Sequence, residues 1–306
     1  MKGLSNVLLI LLISLLASGC SSSHSDINIV FSEVEPVPAS TEKEELPPVR
    51  VAISSVLSPS ETIKHYRKIA DYIGKQLDRP AILIQRKSYN EIGMLMMNGG
   101  ADIALFSSGA YVTYNQVEGI EAIAMQERMG VPYYYGYLVV NQDSNITNIS
   151  QLKGKSVAIA DPSSNSSYLF LSEKLAEFGE TPEHFFSGYT YTYNHEKSLN
   201  AVRNRVVDAS ALSSSIYEQA KAKDPESVAS LRILDKSKPL GTGPVVINNS
   251  ISEEEKKIIM SSFFTMHKQS DMKQALEGLF IDRYVPFDAK YFETENSKAT
   301  NVRDGL

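Results

Sequence analysis

Cys20 is the only cysteine in this 306-residue chain, and tryptophan is absent. A single thiol excludes an intrachain disulfide and a thiolate metal cluster. His24, His65, His184, His195 and His267 form no HxH or HExxH spacing, so no metal site is legible. There is no G-x-S-x-G elbow, and no third triad member stands at a recognisable spacing from the serines and His195, so catalysis is not expected. Lys and Arg number 30 against 36 Asp and Glu, giving a formal charge of −6 and a pI near 5.5, which argues against a nucleic-acid partner. Beyond the first twenty residues no run is long and apolar enough to cross a membrane.

What is present centres on a hydroxyl-rich turn, Asp161-Pro162-Ser163-Ser164-Asn165-Ser166-Ser167. It follows an apolar run at 156–160 that reads as a short buried strand. It precedes an amphipathic run at 168–178 with apolar Tyr168, Leu169, Leu171, Leu175 and Phe178. The first N–H groups of a helix lack internal partners and carry partial positive charge, so such a turn favours an anion. A plain N-cap with solvated serines is the other reading, because caps prefer these same residues.

Short β-rich runs alternate with helical patterns through the body. Strand signals at 49–54, 81–85 and 102–106 are separated by helical runs at 61–77 and 89–97, the latter stopped by Asn98-Gly99-Gly100. The pattern resumes after a strand at 137–141 and ends in helical stretches at 253–269 and 272–279. Alternation of this kind predicts an α/β fold with parallel pairing. We expect two lobes, residues 49–139 with 245–306 and residues 140–244, with crossings near 140 and 243.

The N-terminal segment has its own signature. Lys2 precedes an apolar run at 7–16, too short to span a bilayer comfortably, which ends in Ala17-Ser18-Gly19-Cys20. This resembles the lipobox of bacterial lipoproteins, with Ala17 where leucine is more usual. The resemblance implies a signal peptide over 1–19, lipid on Cys20 and a place in the bacterial cell envelope. The protein would face the periplasm, or the outer face of the membrane in a Gram-positive host. Residues 20–48, rich in serine, glutamate and proline, read as a tether spanning roughly 30 Å as a coil.

Three ordered pieces carry a second resemblance. Leu152-Lys153-Gly154-Lys155 with Asp161-Pro162-Ser163-Ser164-Asn165-Ser166 is similar to "DLKGK…DPxSTSG" of the phosphonate-binding components of ABC transporters, within the type II periplasmic binding proteins. Asn194-His195-Glu196 through Ala201-Val202 and Val207-Asp208-Ala209 resembles that family's "gHe…AV…VDa". The stretch 130–141, with Tyr133-Tyr134-Tyr135, resembles its aromatic strand. The resemblance implies two α/β lobes, each a mostly parallel sheet flanked by helices, with a ligand cleft between them. It implies a monomer without cofactor that captures phosphate, phosphite or a short alkyl phosphonate by hinge closure and delivers it to an ABC permease. The same fold serves equally for a lipoprotein that signals ligand to a sensor kinase.

By the same resemblance Ser164, Asn165 and Ser166 grip the phosphorus oxygens, His195 donates to them, and Tyr89 and Tyr134 reach in from the opposite lobe. Ser107 and Ser108 are added on geometric grounds, since they follow the strand at 102–106. His195 is expected to be the group near these motifs that changes charge close to neutral pH. Asp161 is expected to brace the turn. Asn165 and Ser167 depart from the family's threonine and glycine. The places where relatives hold an ammonium with two acids are Ser215 and Gly243 here, so an aminoethyl phosphonate is disfavoured.

Overall fold

The computed structural model describes residues 46–54, 59–116 and 118–292. Cys20, the expected signal segment and most of the expected tether lie outside them. Two sheets carry the body. The first has β1 (Val49–Ser54), β2 (Ala81–Arg86), β3 (Ile103–Leu105), β4 (Ile120–Glu127), β12 (Pro244–Asn248) and β13 (Arg283–Pro286), in the order β13-β4-β12-β3-β1-β2. The second has β6 (Gly136–Asn141), β7 (Ser156–Ile159), β8 (Gly188–Tyr191), β9 (Ala209–Ser213) and β10 (Leu231–Lys236), in the order β10-β6-β9-β7-β8. Between them runs a ribbon of β5 (Tyr133–Tyr134) and β11 (Leu240–Gly241). The chain changes sheets at this ribbon, so the strand that follows Tyr135 already pairs within the second sheet.

Each sheet is mixed, where mostly parallel sheets were expected. β1 pairs in parallel with β2 and β3, and β7 with β8 and β9. β4, β12 and β13 are joined by antiparallel pairs, as are β6, β9 and β10. Parallel neighbours need a crossover helix, which the β/α repeats supply. The strands next to the ribbon carry the chain between sheets without such a crossover, so nothing holds them parallel.

Helices follow from capping and from one apolar face. α1 (Pro59–Gln76) buries Tyr66, Ile69, Ala70 and Ile73 on the first sheet. α2 (Tyr89–Met97) starts at a reciprocal cap, in which Ser88 Oγ accepts from Glu91 N–H and the Glu91 carboxylate accepts from Ser88 N–H. α3 (Ser108–Tyr114) starts where Ser107 Oγ accepts from Ala110 N–H at 3.0 Å. In the second lobe a π turn over Asn165–Leu169 leads into α4 (Phe170–Ala176). The buried face is Leu169, Phe170, Leu171 and Leu175, and Phe178, beyond the end of the helix, is exposed. α5 (Pro182–Phe185) follows, and α6 (His195–Arg203) is capped by Asn194, whose side chain accepts from Lys197 N–H at 2.9 Å. α7 (Ser214–Lys223) and α8 (Glu226–Ala229) complete this lobe. α9 (Glu253–Thr265) and α10 (Ser270–Gly278) return to pack with α1.

Candidate functional site

The ends of strands from both sheets converge on one place. The hydroxyl-rich turn of the second lobe meets the start of α3 in the first. An added Cβ at Gly109 would stand 1.8 Å from Ser163 O and 2.8 Å from Asn165 N, so only glycine permits the approach. Asp161 joins the lobes as well, since its Oδ2 accepts from Tyr89 N–H at 3.2 Å while Oδ1 accepts from Ser163 N–H at 2.8 Å. The aspartate therefore braces its own turn and clasps the N-terminus of α2.

Beside this contact lies a cavity of about 90 Å³, several times the roughly 10–15 Å³ that one water requires. Tyr89, Ser107, Ser108, Tyr134 and His195 all line it. Ser164, Asn165 and Ser166 are buried next to it without forming its wall. Asn165 Nδ2 and Ser166 Oγ are nevertheless buried with no hydrogen-bond partner among the described residues. Unpaired buried polar groups are uncommon and costly, so each needs an explanation.

The three tyrosines sort themselves by strand alternation. Tyr134 bonds Ser108 Oγ through its hydroxyl at 2.8 Å, bridging the ribbon to α3. Tyr133 and Tyr135 instead pack edge to face at 5.9 Å, with Lys236 over the Tyr135 ring. Ser107 Oγ accepts the cap bond of α3 from Ala110 N–H while Ser108 shares its hydroxyl with Tyr134, and both serines line the cavity.

His195 is neutral. Burial pulls its imidazole down to about 4, and Nδ1 accepts from Ser213 N–H at 3.1 Å. An accepting Nδ1 carries no proton, so the ring proton sits on Nε2 as a fixed donor. The group that titrates near neutrality is Asp161, whose carboxyl is pushed up to about 6 because desolvation outweighs its two backbone donors. Burial thus reverses the sequence-based expectation: His195 keeps its charge state across the neutral range and Asp161 does not.

Several lining residues carry no sequence motif: Tyr66 on α1, Thr242 before β12, Gln126 on β4 and Arg128 just beyond it. Arg128 is the one charged side chain of the lining among the described residues, and no carboxylate contributes to it. Gln126 and Arg128 are two apart and share a strand face, a periodicity visible in the sequence but without a partner to give it meaning. Ser215 and Gly243 also line the cavity. A side chain at Gly243 would meet Phe106 O at 2.1 Å, so an acid cannot simply be restored there.

Two α/β lobes, a ribbon between them and a cavity where strand ends meet make up the fold of the type II periplasmic binding proteins. Residues 51–292 match the family model described as ABC transporter, phosphonate, periplasmic substrate-binding protein, and the chain belongs to that family. It is 29% identical over 164 residues to the phosphonates-binding periplasmic protein of Escherichia coli K12, a match covering 52% of this chain and 47% of that protein. It is 27% identical over 176 residues to the phosphate-import protein PhnD of Mycolicibacterium smegmatis, covering 55% and 50%. The chain thus spans about half the length of the curated relatives it matches. The binding protein component of an ABC phosphonate transporter from Pseudomonas aeruginosa has the same fold, with a TM-score of 0.74 at 22% identity over 82% of this chain and 85% of that one.

Proposed function

We propose that this protein captures a small phosphorus oxyanion (phosphate, phosphite or a short alkyl phosphonate) between its two lobes and presents it to an ABC permease. The observation that carries the reading is the pair of buried, unpartnered groups at the oxyanion turn, Asn165 Nδ2 and Ser166 Oγ. Beside them Ser164 begins the π turn, and the Nε2–H of His195, the hydroxyls of Tyr89 and Tyr134, and Ser108 border the adjoining cavity. A tetrahedral anion takes up many donors at once, and fixed neutral donors satisfy it without a rearrangement of charge. The named functions of the two curated relatives, phosphonates binding and phosphate import, support the same ligand class.

The lobes would close about the β5–β11 ribbon, which is where the chain passes between sheets. Lipid on Cys20 would hold the body near the membrane, and the body would act as a monomer. No helix among the described residues is long and apolar enough to cross a membrane. Calorimetry with phosphate, phosphite and methylphosphonate, with sulfate and acetate as controls, tests the ligand. A phosphorus oxyanion should bind with clear preference, and equal binding of acetate would overturn the reading. Membrane fractionation of a Cys20→Ser variant tests the anchor, with release into the soluble fraction as the expected result.

A further inference from the structure

The cavity has a second polar feature that the oxyanion turn does not account for. Arg128 and Gln126 lie side by side in its wall. Arg128 Nε and Nη2 both donate to Gln126 Oε1, at 3.1 and 2.6 Å. Its Nη1 donates to Leu279 O and to Phe280 O, fixing the guanidinium against the end of α10. Four of the five N–H groups are therefore held by protein, and the remaining one, on Nη2, has no partner among the described residues.

This arrangement settles which way the glutamine amide faces. A guanidinium only donates, so the atom it meets must be the amide oxygen, and the NH₂ is left as the other end. That NH₂ also has no partner among the described residues, although Gln126 is 7% exposed. Two kinds of N–H donor, one cationic, thus stand in a wall that contains no acidic side chain. Asp282, whose field Arg128 feels, is outside the lining and accepts from Gly130 N–H.

The pair also sits beside a telling position. Thr242 Oγ1 donates to Gln126 O at 2.6 Å, which places Gly243 next to the Arg128–Gln126 unit. Gly243 and Ser215 are the places where relatives that hold an ammonium are expected to carry acids. Here one is a glycine with no room for a side chain, and the neighbouring charge is positive. That end of the cavity holds a cation and no acid that could pair with an ammonium.

We propose that Arg128 and Gln126 form a second subsite that receives an anionic acceptor, a carboxylate, on the tail of the bound phosphorus compound. The ligand class is then a short phosphonocarboxylate, in which the phosphorus oxyanion lies at the Ser164–Ser166 turn and the carboxylate lies on the guanidinium and the glutamine NH₂. This proposal rests on the phosphorus-oxyanion reading above and specifies its tail. Both groups act through binding, so Arg128 and Gln126 would be specificity determinants.

The test compares tails at constant head group. Methylphosphonate, propylphosphonate, phosphonoacetate and 2-aminoethylphosphonate are titrated calorimetrically into the folded protein and two variants. Phosphonoacetate should bind about tenfold or more tightly than propylphosphonate, the worth of one hydrogen bond to a charged group, and 2-aminoethylphosphonate should bind more weakly than either. Gln126→Glu keeps an acceptor for Arg128 while removing the NH₂ and neutralising the guanidinium. It should abolish the phosphonoacetate preference, bringing the affinities for phosphonoacetate and propylphosphonate to within about threefold of each other. Arg128→Met should do the same, and because the readout is a ratio of two ligands in one variant, partial loss of the brace on α10 cancels. If methylphosphonate binds and the carboxylate tail gives no advantage, or if the ratio is unchanged in both variants, the subsite is wrong and the oxyanion reading stands. If no phosphorus compound binds at all, both fall.

Discussion

Two strand-to-helix turns face each other across this molecule, both rich in serine, and they differ in what their polar atoms do. At the start of α3, Ser107 caps Ala110 and Ser108 bonds Tyr134, so both hydroxyls are engaged within the protein. At the start of the π turn, Ser167 Oγ donates to Ala211 O and accepts from Ala160 N–H, yet Asn165 Nδ2 and Ser166 Oγ, equally buried, have no partner among the described residues. The first turn is built to be stable by itself. The second gives up stability at two atoms, which is the pattern expected where a ligand completes the hydrogen bonding. Composition alone does not separate a structural turn from a binding one; the count of buried polar atoms with no partner does.

The contact between the turns is the place to break the comparison most severely. Gly109→Val should cost more than a hundredfold in oxyanion affinity, beyond the worth of any single hydrogen bond. A Cβ there collides with Ser163 O and Asn165 N, so the turns cannot approach, while each lobe keeps its own core and the variant still melts cooperatively. Calorimetry alongside a thermal melt checks both halves of that expectation.

Ser166→Ala probes the unmet side. It should weaken binding by about ten- to a hundredfold, the range for a hydrogen bond to a charged group. It should not lower the melting temperature measured without ligand, because a buried hydroxyl with no partner is replaced by a methyl. A variant that loses stability and keeps affinity would assign Ser166 to the structural side instead.

The two titrating groups of the site pull stability in opposite directions. Asp161 has a folded pKa of about 6, above its ordinary 3.8, so between those values the folded state binds more protons. Its contribution is fully present at low pH and is lost as pH rises through about 6. His195 has a folded pKa of about 4 against an ordinary 6.5, so its neutral form favours folding above 6.5 and that contribution is lost as pH falls toward 4. Each contributes about 3 kcal/mol across its window, from about 1.4 kcal/mol per unit. Melting temperature should therefore rise more steeply with pH between 4 and 6 in Asp161→Asn than in the parent. In His195→Gln the dependence should tilt the other way. Parallel curves for all three proteins would show that neither group is perturbed as described.

The smallest effect belongs to the self-satisfied turn. Ser107→Ala removes the cap of α3 and should lower stability by about 1 kcal/mol, typical of an N-cap deletion. Oxyanion affinity should stay within about threefold, less than one hydrogen bond to a charged group. A chemical denaturation midpoint and one titration are enough to measure both.

Much of this architecture was legible before the structure, because its signals are local. A period of two or of 3.6 and the glycines after Met97 each depend on a handful of neighbouring residues. That is how the β/α order and the hydroxyl-rich turn could be picked out, whereas Tyr89, Tyr134 and His195 came from the family resemblance and Ser107 and Ser108 from their place after a strand; the structure brings these five to one cavity. What the sequence could not determine is the state of each polar atom, since its partner lies far along the chain. Asp161 is clasped to Tyr89, His195 takes its tautomer from Ser213, and Arg128 is pinned by Leu279 and Phe280. Desolvation and hydrogen bonding act through space, and only the folded arrangement decides which donors are engaged, which groups stay neutral and which remain free to meet a ligand.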